Sequence, residues 1–171
     1  MSCLQKQVSK LEEKIDDQDA FERKDNVIIS GSAVPALQPN ENMQQVVCKL
    51  LKDTLKLNVA PTEISLAHRL GVKVQRQGPD RRKILVKLCR QDTKSSILNA
   101  ARTVKNPAIY INESLTPQRQ TIAFALRKAR KEFPHIIKGT STSNGKVFAY
   151  VRSPNQPAGT KDAKMPVGTM A

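Results

Sequence analysis

Five of the ten residues from Arg81 to Arg90 (Arg-Arg-Lys-Ile-Leu-Val-Lys-Leu-Cys-Arg) are Lys or Arg, placed at the entrance, middle and exit of a short apolar run. Ile84 to Leu88, aliphatic and bounded by charge, has the length and composition of a β-strand. A strand buried on both faces has little use for these cations. A strand with one face packed and the other lying along a polyanion does. The sequence therefore calls for a sheet with one open face.

The neighbouring segments supply that sheet. Asn26 to Gly31 reads as a buried strand ending at a glycine, Glu63 to Leu70 as a second, Lys83 to Cys89 as a third and Ile109 to Asn112 as a fourth. Between the first two, Met43, Val46, Val47, Leu50, Leu51, Thr54 and Leu55 recur at the helical period, predicting a helix over 41–57 with Asn40 as its N-cap. Between the last two, Ile97, Leu98, Ala101 and Val104 mark a second helix, capped by Asp92 or Thr93. Val72 to Asp80 reads as a polar loop. The order β-α-β-β-α-β is the split βαβ of ferredoxin-like sheets, RRM-like in outline, and predicts a domain over 25–113.

Different patterns flank it. Leu4, Val8, Leu11 and Ile15 follow 4-3-4 spacing amid charged neighbours, which predicts a coiled-coil segment over 1–24. Val8 and Ile15 take the a positions, Leu4 and Leu11 the d positions. A lone amphipathic helix packed on the domain is the competing expectation; so short a helix is marginal alone, which leads to the expectation of a longer coil in a fuller protein. Downstream, Thr116-Pro117 opens a helix with Ile122, Ala125, Leu126 and Ala129 as apolar positions, ending at Phe133-Pro134. Ile136-Ile137 and Val147 to Val151 read as a strand pair, so 114–152 is expected to be a small basic helix-hairpin unit. The Pro, Gly and Lys content of 153–171 reads as a disordered tail. The expected fold class is α+β: a coiled-coil helix, an RRM-like domain and a helix-plus-hairpin unit.

Charge separates these segments. The chain carries 29 Lys+Arg against 15 Asp+Glu. Residues 1–25 hold five basic and seven acidic side chains (balance −2), which leaves 24 and eight (balance +16) for residues 26–171. Such an excess implies an acidic partner, nucleic acid or an anionic surface. No stretch approaches the roughly 20 apolar residues of a membrane span, so no membrane role is expected. Cys3, Cys48 and Cys89 are odd in number and far apart, without CxxC, and His68 and His135 are distant. Neither a metal site nor a disulfide framework is expected, and a reducing compartment fits best.

The candidate phosphate-binding groups are Arg23 and Lys24 before the first strand and Arg69 at the end of the second. Arg81, Arg82, Lys83, Lys87 and Arg90 line the third, and Arg102 sits late in the second helix. Arg119, Arg127, Lys128, Arg130 and Lys131 lie on the last helix. The first and third strands carry no aromatic residue, so Tyr110 is the one aromatic on the four strands of the 25–113 domain available for a base stack. Contacts of this kind give salt-dependent binding with little sequence preference. No catalytic constellation stands out: Ser65 and His68 have opposite strand parity, the carboxylates of the basic region are scattered and no glycine-rich phosphate loop occurs. An enzyme is not expected, and no cofactor is called for.

Several strings together resemble a known family: Asn26-Val27-Ile28-Ile29-Ser30-Gly31, Arg82 to Leu88, Ile97-Leu98-Asn99-Ala100-Ala101-Arg102, and Ile109 to Thr116. They are similar, in order and spacing over 4–152, to the RNA-binding protein of the first open reading frame of LINE-type non-LTR retrotransposons. Baculovirus few-polyhedra proteins share the plan. The resemblance implies a coiled coil, an RNA-recognition-type domain and a small C-terminal domain. It implies trimers formed through the coil, binding of single-stranded RNA, nucleic-acid chaperoning, and residence in cytoplasmic ribonucleoprotein particles and the nucleus. Arg23, Lys24, Arg81 to Lys83, Lys87 and Arg102 would be contact residues. A protein–protein adaptor whose coil is the working part is the alternative, and a metal-dependent nuclease the third reading.

Overall fold

The computed structural model describes residues 3–72, 78–152 and 162–168. Among these the chain is α+β, with four α-helices and two antiparallel sheets. It divides into two compact units, one spanning Asp25–Ser114 and one that joins Met1–Lys24 to Leu115–Ala171. The N-terminal helix therefore belongs with the C-terminal segment. Part of the expected loop (73–77) and the start of the expected tail (153–161) lie outside the described residues.

In the unit 25–114 the elements run β1 (Asn26–Ser30), α2 (Met43–Leu55), β2 (Ile64–Arg69), β3 (Ile84–Leu88), α3 (Gln91–Val104) and β4 (Tyr110–Glu113), after α1 (Cys3–Glu22) in chain order. The sheet order is β2-β3-β1-β4, antiparallel throughout. The order β-α-β-β-α-β is as the sequence predicts. Alternation along the strands sends Val27, Ile29, Ile84, Val86 and Leu88 to one face, which α2 and α3 cover with Val47, Leu50, Leu51, Leu55 and Ile97. Burying such a side chain contributes about 1.5–3 kcal/mol, so this one-sided layer is what holds the unit together. Gly31 ends β1 at φ +122°, and a Cβ there would lie 2.3 Å from the Ala108 carbonyl oxygen. Only glycine fits that approach.

Helix starts differ in detail from expectation. Asn42, not Asn40, caps α2, accepting from the Gln45 amide at 3.2 Å, while Asn40 takes a left-handed turn (φ +55°). The start of α3 has no side-chain cap, because the Thr93 hydroxyl is buried and donates to Glu63 Oε1 at 2.8 Å.

In the other unit α4 (Pro117–Glu132) starts at Thr116, whose hydroxyl accepts from the Arg119 amide, with Pro117 at the first position. It packs on β5 (Ile137–Ser143) and β6 (Lys146–Val151), joined by the two-residue turn Asn144-Gly145 with both φ positive. Ala123 is buried and Ala125 exposed, so the packed stripe is turned from the one expected. Ala163–Val167 forms a third strand, β7, paired with β6 in register Val147↔Val167 to Val151↔Ala163. This corrects the expected disorder of that stretch. The outer edge of β6 offers a row of backbone donors and acceptors, and pairing with it overrides local composition. Pro166 is tolerated because β7 is an edge strand.

Candidate nucleic-acid interface

Helices cover one face of the four-stranded sheet, and the side chains of the other face are exposed or half-buried among the described residues. Register places His68, Leu85, Ile28 and Asn112 in one row across it. Leu66, Lys87 and Asn26 form the row on one side, and Ser30 pairs with Tyr110 on the other. Lys83, one residue before β3, continues the same face by alternation. The side chains of Lys83 and Lys87 are exposed and make no hydrogen bond or ion pair among the described residues. Tyr110 is 57% exposed, and Ile28 and Leu85 are half-buried beneath it and the lysines. No strand residue of this face is a carboxylate. The arrangement offers two cations about 13 Å apart along one strand, an aromatic ring and an apolar floor.

Several predicted contact residues are engaged elsewhere. Arg69 pairs across the sheet with Ile84, on the packed face, and its side chain is almost fully buried. Its Nε and Nη2 donate to Glu41 Oε1 and Oε2 at 2.7 and 3.0 Å, and Nη2 also donates to the Pro35 carbonyl. Strand parity thus corrects its assignment: Arg69 anchors the loop before α2. Held by this guanidinium, the Glu41 carboxyl stays below its ordinary range. Arg81 clamps the same loop, Nη1 donating to the carbonyls of Ser32 and Val34 at 2.7 and 2.8 Å. Arg82 bonds Asp80 and the Gly71 carbonyl. Arg90 reaches Asp92 at 3.0 Å in water. Arg102 is exposed and unpaired among the described residues, but it stands on α3, in the helix layer behind the sheet.

The second unit has its own basic surface. Pro117, Gln120, Thr121, Phe124, Arg127, Lys128 and Lys131 recur at three- and four-residue spacing along α4, and each is exposed. Arg127, Lys128, Arg130 and Lys131 make no ion pair among the described residues. Phe124, which the sequence reading missed, is 68% exposed between them. Its signal was available: an aromatic with cations three, four and seven residues on. Arg119 faces the other way. Its Nε and Nη2 donate to Asp16 and Asp17 of α1 at 2.7 and 2.5 Å, and its Nη1 to the Gly145 carbonyl at 3.2 Å. The Thr116 hydroxyl also donates to Asp16. Arg119 therefore joins helix to helix, which corrects its expected role. Arg23 pairs with Asp19 one turn earlier, and Lys24 lies over the Phe21 ring at 4.0 Å.

Compared with known proteins, the chain matches no family model and no curated sequence. The site must be read from its own geometry.

A buried pair absent from the sequence reading, Lys94 on α3 with Glu113 on β4 at 2.7 Å, completes the packed layer. Nothing in the sequence around Lys94 marks it as buried, because its partner lies on β4, nineteen positions away. The apolar side chains of α1 at 4-3-4 spacing are exposed, Leu4 at 74% and Ile15 at 64%, with Val8 and Leu11 between them in sequence. Among the described residues no helix is long and apolar enough to cross a membrane, and no cluster of three His, Cys, Asp or Glu could hold a metal ion.

Proposed function

We propose that this chain is a sequence-tolerant single-stranded nucleic-acid-binding protein, the RNA-binding nucleoprotein of a LINE-type retrotransposon. In this reading it chaperones strand exchange and self-associates through α1. The observation that carries it is the open sheet face, where Lys83, Lys87 and Tyr110 stand together over Ile28 and Leu85 without one carboxylate. Single strands present phosphates and unstacked bases to one surface at once, and a cationic sheet with an aromatic and an apolar floor suits both. The β-α-β-β-α-β order of an RRM-like domain supports the same reading. The base-reading aromatics of the first and third strands are replaced by Ile28 and Leu85, so affinity rests on phosphates and sequence preference is weak. Linking several copies through Leu4, Val8, Leu11 and Ile15 raises avidity by effective concentration.

Fluorescence anisotropy of a labelled 20-mer RNA at rising salt tests this. Affinity is expected to fall linearly in log–log form, with single strand preferred to duplex. Lys83→Ala with Lys87→Ala is expected to flatten the salt slope by about 0.7 per lysine. Salt-independent binding, or a double variant that behaves as wild type, would sink the proposal. A second reading, a protein–protein adaptor, draws on the exposed α1 seam. It requires Leu11→Asp with Ile15→Asp to abolish function while the lysine pair is dispensable.

A further inference from the structure

We infer that α4 carries a second nucleobase-stacking site, with Phe124 as the platform and Arg127, Lys128 and Lys131 as phosphate contacts. This deepens, and rests on, the nucleic-acid reading above.

Cations near a helix C-terminus have an ordinary explanation, since they complement the dipole and the last carbonyls. That explanation says nothing of Phe124. Its ring is 68% exposed on a helix whose apolar side chains, Ile122, Ala123 and Leu126, already face the sheet. Other exposed aromatics of this unit are occupied. Phe21 carries the Lys24 ammonium on its face at 4.0 Å, and Phe133 meets the His135 ring edge-on at 6.4 Å. Phe124 meets no ring and no cation among the described residues. Arg127 and Lys128 lie one turn beyond it and Lys131 two turns, about 5–6 Å between neighbouring Cβ atoms. An open π-face beside a row of unpaired cations matches a base stacked on the ring while its backbone runs along the helix.

The partner follows from what the stripe lacks. A membrane surface would need a broad apolar face on the exposed side of the helix, and Phe124 is the one large apolar residue there. The one carboxylate of α4, Glu132, stands at its last residue, two turns beyond Phe124, against four cations between them. The ring is sequence-tolerant by nature, since every base has a π-face.

The chain contains no tryptophan, so Phe124→Trp in the full chain installs a single fluorescent reporter at the site. Titrated with an oligo-uridine 20-mer, it is expected to be quenched, whereas an abasic phosphodiester of equal length should bind without quenching. In the same buffer Phe124→Ala is expected to weaken oligonucleotide binding about five- to a hundred-fold. It removes no charge, so the salt slope should be unchanged. Arg127→Ala should lower that slope instead.

Binding of oligo-uridine with an unquenched tryptophan, and equal affinity of Phe124→Ala and wild type, would overturn the site while leaving the open sheet face intact as the binder. A blue shift on anionic phosphatidylserine vesicles without quenching by the oligonucleotide would overturn it in favour of a membrane surface. Failure of the wild-type chain to bind any oligonucleotide would remove the underlying reading and this site with it.

Discussion

The two units of this chain are held together by different physics. Among the described residues, the unit 25–114 buries fourteen apolar side chains in one cluster, from Val27 to Ile109. The unit that joins 1–24 to 115–171 buries four, namely Ala20, Ala123, Val147 and Ala149, three of them alanines. What it has instead is Arg119, tying Asp16, Asp17 and the Gly145 carbonyl into one node with Thr116. Dry packing spreads stability over many small contributions. A polar node concentrates it in one side chain, because removing a partner leaves a carboxylate largely out of water with nothing to neutralise it.

The largest expected effect breaks the weaker unit alone. Arg119→Leu should cost about 3–5 kcal/mol by stranding Asp16, enough to open a small unit with so little apolar burial. Hydrogen exchange checks it: amides of β5 and β6 should lose protection while those of β1 and β3 keep theirs. Equal loss in both units would show that they do not fold separately. Next in size, Leu51→Ala removes a fully buried side chain from the other core and should cost about 3 kcal/mol. The urea midpoint of the 25–114 signal should fall, with that of β5 and β6 unmoved. A loss below about 1 kcal/mol would mean that this core is looser than its burial implies.

Acid sharpens the comparison further. Glu41, bonded to Arg69, has its carboxyl below the ordinary range in the folded chain, and Glu63 is lowered likewise by the Thr93 hydroxyl and the Ala60 amide. Unfolded, both take up protons near the usual value of about 4.3. Their contribution is therefore complete above that value and is lost as pH falls through the lower folded-state values. The unit 25–114 should hold its stability from neutral pH to about pH 5 and lose it progressively below. Glu41→Gln should flatten that acid limb, which denaturation midpoints from pH 3 to 7 would record. An unchanged limb would place the acid sensitivity elsewhere.

How far each unit can be read from sequence follows the same division. Where a dry core dictates structure, apolar periodicity locates every strand and both helices of 25–114, with the order of elements and the open face that exposes Lys83 and Lys87. Polar partnerships made by the tertiary fold leave no local trace. Arg69 reads as a phosphate contact and Lys94 carries no local mark of burial, until strand parity and helix docking deliver Glu41 and Glu113 to them. Arg119 reads as one more basic residue of α4, since its acidic partners lie about a hundred positions away. β7 escapes because an edge strand borrows its order from its neighbour rather than from its own composition.

The smallest effect tests whether burial, rather than ion-pair formation as such, separates structural arginines from available ones. Arg90 and Asp92 form an ion pair at 3.0 Å, much like Arg69 and Glu41 at 2.7 Å. Their side chains are 69% and 82% exposed, against 4% and 10% for the buried pair. In water the two charges are solvated whether or not they meet, and holding two flexible side chains together costs entropy that offsets most of the attraction. Arg90→Ala should therefore change stability by no more than about 0.5 kcal/mol, while Arg69→Ala, which strands a buried carboxylate, should cost several times more. Urea midpoints of the two variants in parallel give the ratio. Near-equal costs would mean that exposed pairs in this chain are as structural as buried ones, and that Arg90 is not free to turn toward phosphate.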